Sequence, residues 1–249
     1  MSTATPYLLD LSPHGRIRVT GEDRARLIHA LCTNHIQQLK PGESVYAFFL
    51  TAQGRILADA RIVCYEDSLL IDTEPETREA LLKHIDHYII ADDVTLEDET
   101  DRTYCLETES GRIYGPLSQK PKDLELSDPH AIRLQHFRPR YGEDITDKTL
   151  AQETGITEAL HFQKGCYLGQ EIVERIRSRT HVNRMLSGLL FETDAPPPGT
   201  KVFAGEAEVG KITSADGKNA IAMLRSEQTK PNTTLTADSQ QAVTQPINC

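Results

Sequence analysis

The sequence predicts an α+β protein whose sheets are largely antiparallel, and three observations carry that expectation. Short segments that alternate apolar and polar residues recur along the chain, several of them joined by tight turns. Between them lie stretches with the 3.6-residue periodicity of short amphipathic helices. A proline-rich boundary, Asp194-Ala-Pro-Pro-Pro-Gly199, then precedes brief β segments broken by glycines, the pattern of a small barrel-like module.

Arg16–Thr20 alternates Ile17 and Val19 with polar residues and reads as the first strand. After Gly21, Glu22–Leu31 reads as a helix with Leu27, Ile28 and Leu31 inward. Lys40-Pro41-Gly42 is a turn, and Val45–Thr51, Arg55–Tyr65 and Ser68–Asp72 follow as a three-stranded meander. Thr73-Glu-Pro-Glu76 has the form of a capping box opening a second helix, whose stripe is Leu81, Leu82, Ile85, Tyr88 and Ile89. Val94–Glu99, Thr103–Glu107 and His130–Leu134 read as further strands, with Gly115–Asp128 a loop and 142–163 polar and turn-rich. Leu186–Phe191, Lys201–Phe203, Glu208–Thr213 and Asn219–Leu224 complete the strands, and the last dozen residues are expected to fray.

With 249 residues, 38% of them apolar and 26% charged, the composition is that of an ordinary soluble globular chain. A net charge of −10 argues against a protein that coats nucleic acid with its general surface. No apolar run is long enough to cross a bilayer, so no membrane partner is expected. The first residues lack the basic and apolar regions of a secretory signal, so a cytoplasmic location is expected. Cysteines 32, 64, 105, 166 and 249 are scattered, which fits a reducing compartment and offers no resident metal site. Phosphate-loop, dinucleotide-loop, nucleophile-elbow and zinc-protease motifs are absent from the sequence.

The most informative stretch is Lys164-Gly-Cys-Tyr-Leu-Gly-Gln-Glu171. Gly169 can open a helix that continues through Ile172, Val173 and Ile176, which would set Cys166 just before a helix N-terminus and two residues from Lys164. Both neighbours favour a thiolate, so Cys166 is the best candidate for a reactive thiol. Burial as a small apolar residue is the alternative. Arg175, Arg177, Arg179 and Arg184, with His181, form a basic stretch able to hold an anion or to decorate a solvated surface.

Lys164–Glu171 followed by Ile-Val-Glu-Arg-Ile-Arg resembles the signature of the YgfZ-type folate-binding proteins, relatives of the glycine-cleavage T-protein (aminomethyltransferase). Val19–Arg24, Leu31–Asn34, Gly54-Arg55 with Asp59, Arg138–Gly142, Asp144–Asp147, His181–Arg184 and Gly210–Ser214 resemble further blocks of that family. The resemblance implies a three-module ring of T-protein type around a central channel. Its modules would be an N-terminal α+β folate-binding domain at 1–100, made discontinuous by part of 135–185, a ferredoxin-like domain at 101–185, and a C-terminal β-barrel at 186–249.

It also implies tetrahydrofolate or a derivative in that channel. Arg133 would stand at its glutamate end, with Tyr141, Lys164, Gly165, Gln170, Glu171 and Arg175 as further candidate contacts. A partly buried ion pair is the other reading of Arg133. Two T-protein patterns find no counterpart: a Gly-Tyr-Thr-Gly-Glu segment between Thr103 and His130, and an Asn-Ala-x-Asn-x-x-x-Asp block at Asp72–Arg78. The expected function is therefore an accessory factor for iron–sulfur cluster assembly or repair. Cys166 would serve as thiol ligand or redox contact toward an assembly or client protein. The alternatives are a folate-dependent aminomethyl transferase and a tRNA-modification accessory that uses Arg175–Arg184 on phosphate.

Overall fold

The computed structural model describes residues 6–179 and 182–249; His181 of the basic stretch and the side chain of Arg179 lie outside the described set. Its central element is a five-stranded antiparallel sheet of order β3-β4-β5-β2-β6. The strands are β2 (Gly15–Thr20), β3 (Ser44–Leu50), β4 (Ile56–Cys64), β5 (Leu69–Thr73) and β6 (Thr95–Asp98). Helices α1 (Arg24–Leu31) and α2 (Arg78–His87) share one core with it, built from Ile17, Val19, Leu27, Ile28, Phe49, Ile62, Ile71, Leu81 and Ile85. The two-residue alternation of a strand sends Phe48 and Leu50 the other way. There they meet Ile56, Leu134, Ile145, Ile156, Tyr167 and Val173 in a second core. Burying each such side chain contributes about 1.5–3 kcal/mol.

With α1 and α2, strands β4-β5-β2-β6 have the order of a ferredoxin-like sheet, and β3 is added at its edge. The ferredoxin-like unit therefore falls within residues 15–98, not in the 101–185 segment expected to carry it. That segment instead supplies the hairpin β7 (Thr103–Thr108) and β8 (Gly111–Pro116), with helices α3 (Pro129–Gln135) and α4 (Gln170–Arg179). The hairpin pairs with β1 (Leu8–Asp10) in a separate three-stranded sheet.

Four local expectations are corrected. His130–Leu134 is helical: Asp128 accepts a hydrogen bond from the His130 amide as N-cap, and Pro129 takes the first position. The capping box at Thr73 does not form. Thr73 ends β5, its hydroxyl donates to the Asp59 carbonyl at 2.6 Å, and α2 starts at Arg78. The start of the 115–128 loop belongs to β8. The tail is folded: β13 (Thr234–Ala237) and β14 (Gln240–Gln245) join β9 (Arg184–Phe191), β10 (Lys201–Ala204), β11 (Ala207–Asp216) and β12 (Asn219–Arg225) in a closed six-stranded barrel. Leu189, Phe191, Val202, Val209, Ile212, Leu224 and Leu235 fill it.

Candidate functional site

A cavity of about 730 Å³ lies between the five-stranded sheet, the β1-β7-β8 sheet and the segment 128–143. Its walls take Leu9 and His14 from the first turn of chain, Arg61 and Val63 from β4, and Tyr65 and Glu74 from either side of β5. Arg112 and Tyr114 of β8, Arg133 of α3, and Arg138 and Arg140 close it.

Beside this cavity stands Asp72, 1% exposed on β5. It accepts from His14 Nδ1 at 3.0 Å, Arg112 Nη1 at 2.8 Å and Tyr114 Oη at 2.6 Å. Burial would raise its pKa, but the Arg112 charge and the His14 and Tyr114 bonds outweigh burial and hold the carboxyl far below its ordinary range. Arg112 also pairs with Glu107 at 2.7 Å, and Glu107 with Arg138 at 2.6 Å, so the charges form one compensated chain.

Asp59 behaves in the opposite way. It is 5% exposed on β4 and accepts from Tyr46 Oη at 2.5 Å, while its other oxygen has no hydrogen-bond partner among the described residues. Burial dominates and raises its pKa. Glu74, on the cavity wall, is raised by burial as well. Neither Asp59, Asp72, His14, Arg112 nor Tyr114 was a candidate from the sequence. The available signal was a carboxylate within an apolar strand: Ile56-Leu-Ala-Asp and Leu69-Leu-Ile-Asp.

Arg133 lines the cavity, but its guanidinium is committed to Asp144 at 2.9 Å and Glu143 at 2.5 Å. Asp144 is itself buried, accepting from Ser214 Oγ at 2.6 Å and from Thr213 Oγ1, so this cluster also docks the barrel on α3. Tyr141, Lys164, Gly165, Cys166, Gln170, Glu171 and Arg175 do not line the cavity.

The cysteine loop forms a second locus. Cys166 is exposed, whereas Lys164 is 6% exposed and points inward. Its ammonium donates to the carbonyls of His29 and Cys32 at the end of α1 and sits 4.9 Å over the Tyr167 ring. Burial lowers its pKa. Gly169 has φ +82° immediately before α4, with Gln170 and Glu171 in the first turn of that helix. Of the basic stretch, Arg175 is exposed, Arg177 stacks 4.4 Å over Phe162, and Arg184 bonds Glu153 at 2.9 Å. Among the described residues, no group of three or more His, Cys, Asp or Glu is placed to hold a metal ion. No described helix is long and apolar enough to cross a membrane.

Residues 4–121 match the family model of the GCVT N-terminal domain, and residues 177–247 match that of the CAF17 C-terminal beta-barrel domain. In fold, the chain resembles the glycine cleavage system aminomethyltransferase T of Bartonella henselae. The TM-score is 0.80 at 15% identity, covering 98% of this chain and 85% of that one. The chain thus carries a GCVT-like N-terminal domain and a CAF17-type C-terminal β-barrel on a fold of T-protein type.

It is also similar to proteins named iron–sulfur cluster assembly factor IBA57. The human one is 25% identical over 272 aligned residues, 86% of this chain and 76% of that protein; the mouse one is 27% identical with the same coverage. A chloroplastic protein of Arabidopsis thaliana, named as a transferase, is 24% identical, and the chain spans 62% of its length.

Proposed function

We propose that this chain is an iron–sulfur cluster assembly factor that binds a reduced folate in its cavity and meets a cluster-bearing partner through Cys166. The observation that carries the reading is the separation of two loci. The cavity is walled by charges that neutralise one another, and the exposed thiol stands apart from it on a loop fixed to α1. One thiolate cannot hold a cluster alone, so the partner supplies the remaining ligands. The names of the IBA57 relatives support the same assignment.

The cavity suits a folate. Its volume lies within the roughly 300–1,000 Å³ of small-molecule sites. Tyr65, Val63 and Leu9 give apolar wall, and Arg61, bonded among the described residues only to Ser44 Oγ at 3.5 Å, suits a carboxylate. A bound reduced folate supplies a carrier for one-carbon units; the protein's residues orient it and exclude water.

Glu74 also favours a second reading, folate-dependent one-carbon transfer, because it lines the cavity and burial raises its pKa. We place the protein in the cytoplasm; five unpaired cysteines support a reducing compartment.

Two measurements test these readings. Calorimetric titration with tetrahydrofolate should show one site, which Arg61→Ala weakens. In cells lacking the factor, wild type should restore iron–sulfur enzyme activity and Cys166→Ala should not; full restoration by Cys166→Ala would sink the cluster role.

A further inference from the structure

Two imidazoles line the cavity: His130, engaged with Arg133 and the Ala215 carbonyl, and His14, whose second ring nitrogen has no hydrogen-bond partner among the described residues. The His14 side chain is 14% exposed, lines the cavity, and is fixed at its backbone by a 3.0 Å bond from its amide to the Leu11 carbonyl. Nδ1 lies 3.0 Å from Asp72 Oδ1, and Nε2 lies 3.9 Å from Glu74 Oε2, beyond hydrogen-bond reach. A carboxylate only accepts, so Nδ1 carries the hydrogen in this contact. Nε2 is therefore the ring atom left for chemistry, on the side where Glu74 also lines the cavity. A buried carboxylate that fixes the tautomer of a cavity-facing imidazole is the arrangement of a proton-handling pair.

We propose that His14, oriented by Asp72, is the proton-carrying contact of the cavity, presenting Nε2–H to an acceptor oxygen or nitrogen of the bound ligand. The identity of that ligand rests on the folate reading, under which the acceptor is on the pterin ring; the His14–Asp72 pair does not.

The surroundings fix the sign of the pH dependence. Asp72 and Glu74 face His14 from β5 and the turn after it, Glu76 stands beyond Glu74, Asp59 faces it from β4, and Arg112 opposes from β8. Burial alone would lower the His14 pKa, but the Asp72 bond and charge, helped by Glu74, raise it above the ordinary histidine value against Arg112. Ligand affinity is full below the folded pKa and is lost as pH rises through it.

The test combines anaerobic calorimetry with tetrahydrofolate from pH 6 to 8.5 and ¹⁵N NMR of the histidines, on wild type and His14→Asn. Asparagine keeps a donor at the Nδ1 position, and hence the Asp72 contact, but has nothing at Nε2. Wild-type affinity should fall about tenfold across the range. His14→Asn should melt with wild type yet bind about tenfold more weakly at pH 6, without pH dependence. A flat wild-type profile together with unchanged binding by His14→Asn overturns the proposal and leaves folate binding intact. Should tetrahydrofolate fail to bind at any pH, the folate reading falls and the spectrum decides for His14. A neutral ring that keeps its single hydrogen on Nδ1 and gains the second, on Nε2, with a raised pKa upholds the pair; a neutral ring with its hydrogen on Nε2, or a pKa at or below the ordinary value, overturns it.

Discussion

Lys164 and His29 hold each other across 135 residues of chain: the Lys164 ammonium donates to the His29 carbonyl, and His29 Nε2 bonds the Lys164 carbonyl at 2.8 Å. His29 Nδ1 accepts from the Ile36 amide at 3.2 Å, so its ring is the Nε2–H tautomer and burial keeps it neutral. The Leu168 amide adds a 3.0 Å bond to the Ala30 carbonyl. The loop that presents Cys166 thus hangs on the C-terminal turn of α1, where free carbonyls favour a cation.

Lys164→Met should fill the same space without making those bonds. Two carbonyls lose their donor, at a cost of about 1–3 kcal/mol, and amide exchange at 165–169 should quicken while the barrel is unaffected. Exchange that stays at the wild-type rate would show that the loop is held by other contacts.

Gly169 should tolerate no side chain. At φ +82° an added Cβ would meet the Thr51 carbonyl oxygen at 2.8 Å, whereas at Gly42, with φ +89°, nothing lies within 4 Å. Gly42→Ala should cost about 1 kcal/mol from backbone strain alone. Gly169→Ala should cost about 2–3 kcal/mol, and the difference between the two urea midpoints measures the close approach.

The start of α4 behind Gly169 was legible because glycine and the Ile172, Val173 spacing are local signals. The same holds for the meander of β3, β4 and β5, whose alternation is carried by large apolar residues. Asp128-Pro129 was an equally local helix start, yet the short apolar run Ala131-Ile132 outweighed it as a strand signal. Thr234–Gln245 was illegible for another reason. Apart from Leu235, its alternation is carried by Ala237, Ala242 and Thr244, small or polar residues buried where β13 and β14 close the barrel against β9, about fifty positions away. The cavity escaped the sequence in the same way, since His14, Asp72 and Arg112 meet only through three separate strand pairings.

Asp72→Asn should destabilise the fold by about 3–5 kcal/mol, because Arg112 and His14 lose a buried counter-charge. The pH dependence has a definite sign. The folded carboxyl has a lowered pKa, so its stabilisation is present above the unfolded carboxylate range and is lost as pH falls below about 4. Denaturation midpoints from pH 7 to 2 should fall for wild type and much less for the variant.

Asp144→Asn should loosen the barrel from α3, since Arg133, Ser214 and Thr213 all converge on that carboxylate. A loss of about 3 kcal/mol should come with faster proteolysis at 192–199. A single unchanged melting transition would count against this junction as the main seam.

The pairing of β14 with β9 sets an order in time. Every other strand of the barrel leaves the ribosome before Gln240–Gln245, and without that strand β9 and β13 cannot be bridged. At about 5–20 residues per second, the sheet carrying α1 and α2 has several seconds to mature while the barrel is still an open ribbon. Closure by β14 is therefore the last step of the barrel, after β11, the strand that α3 packs on, is already paired.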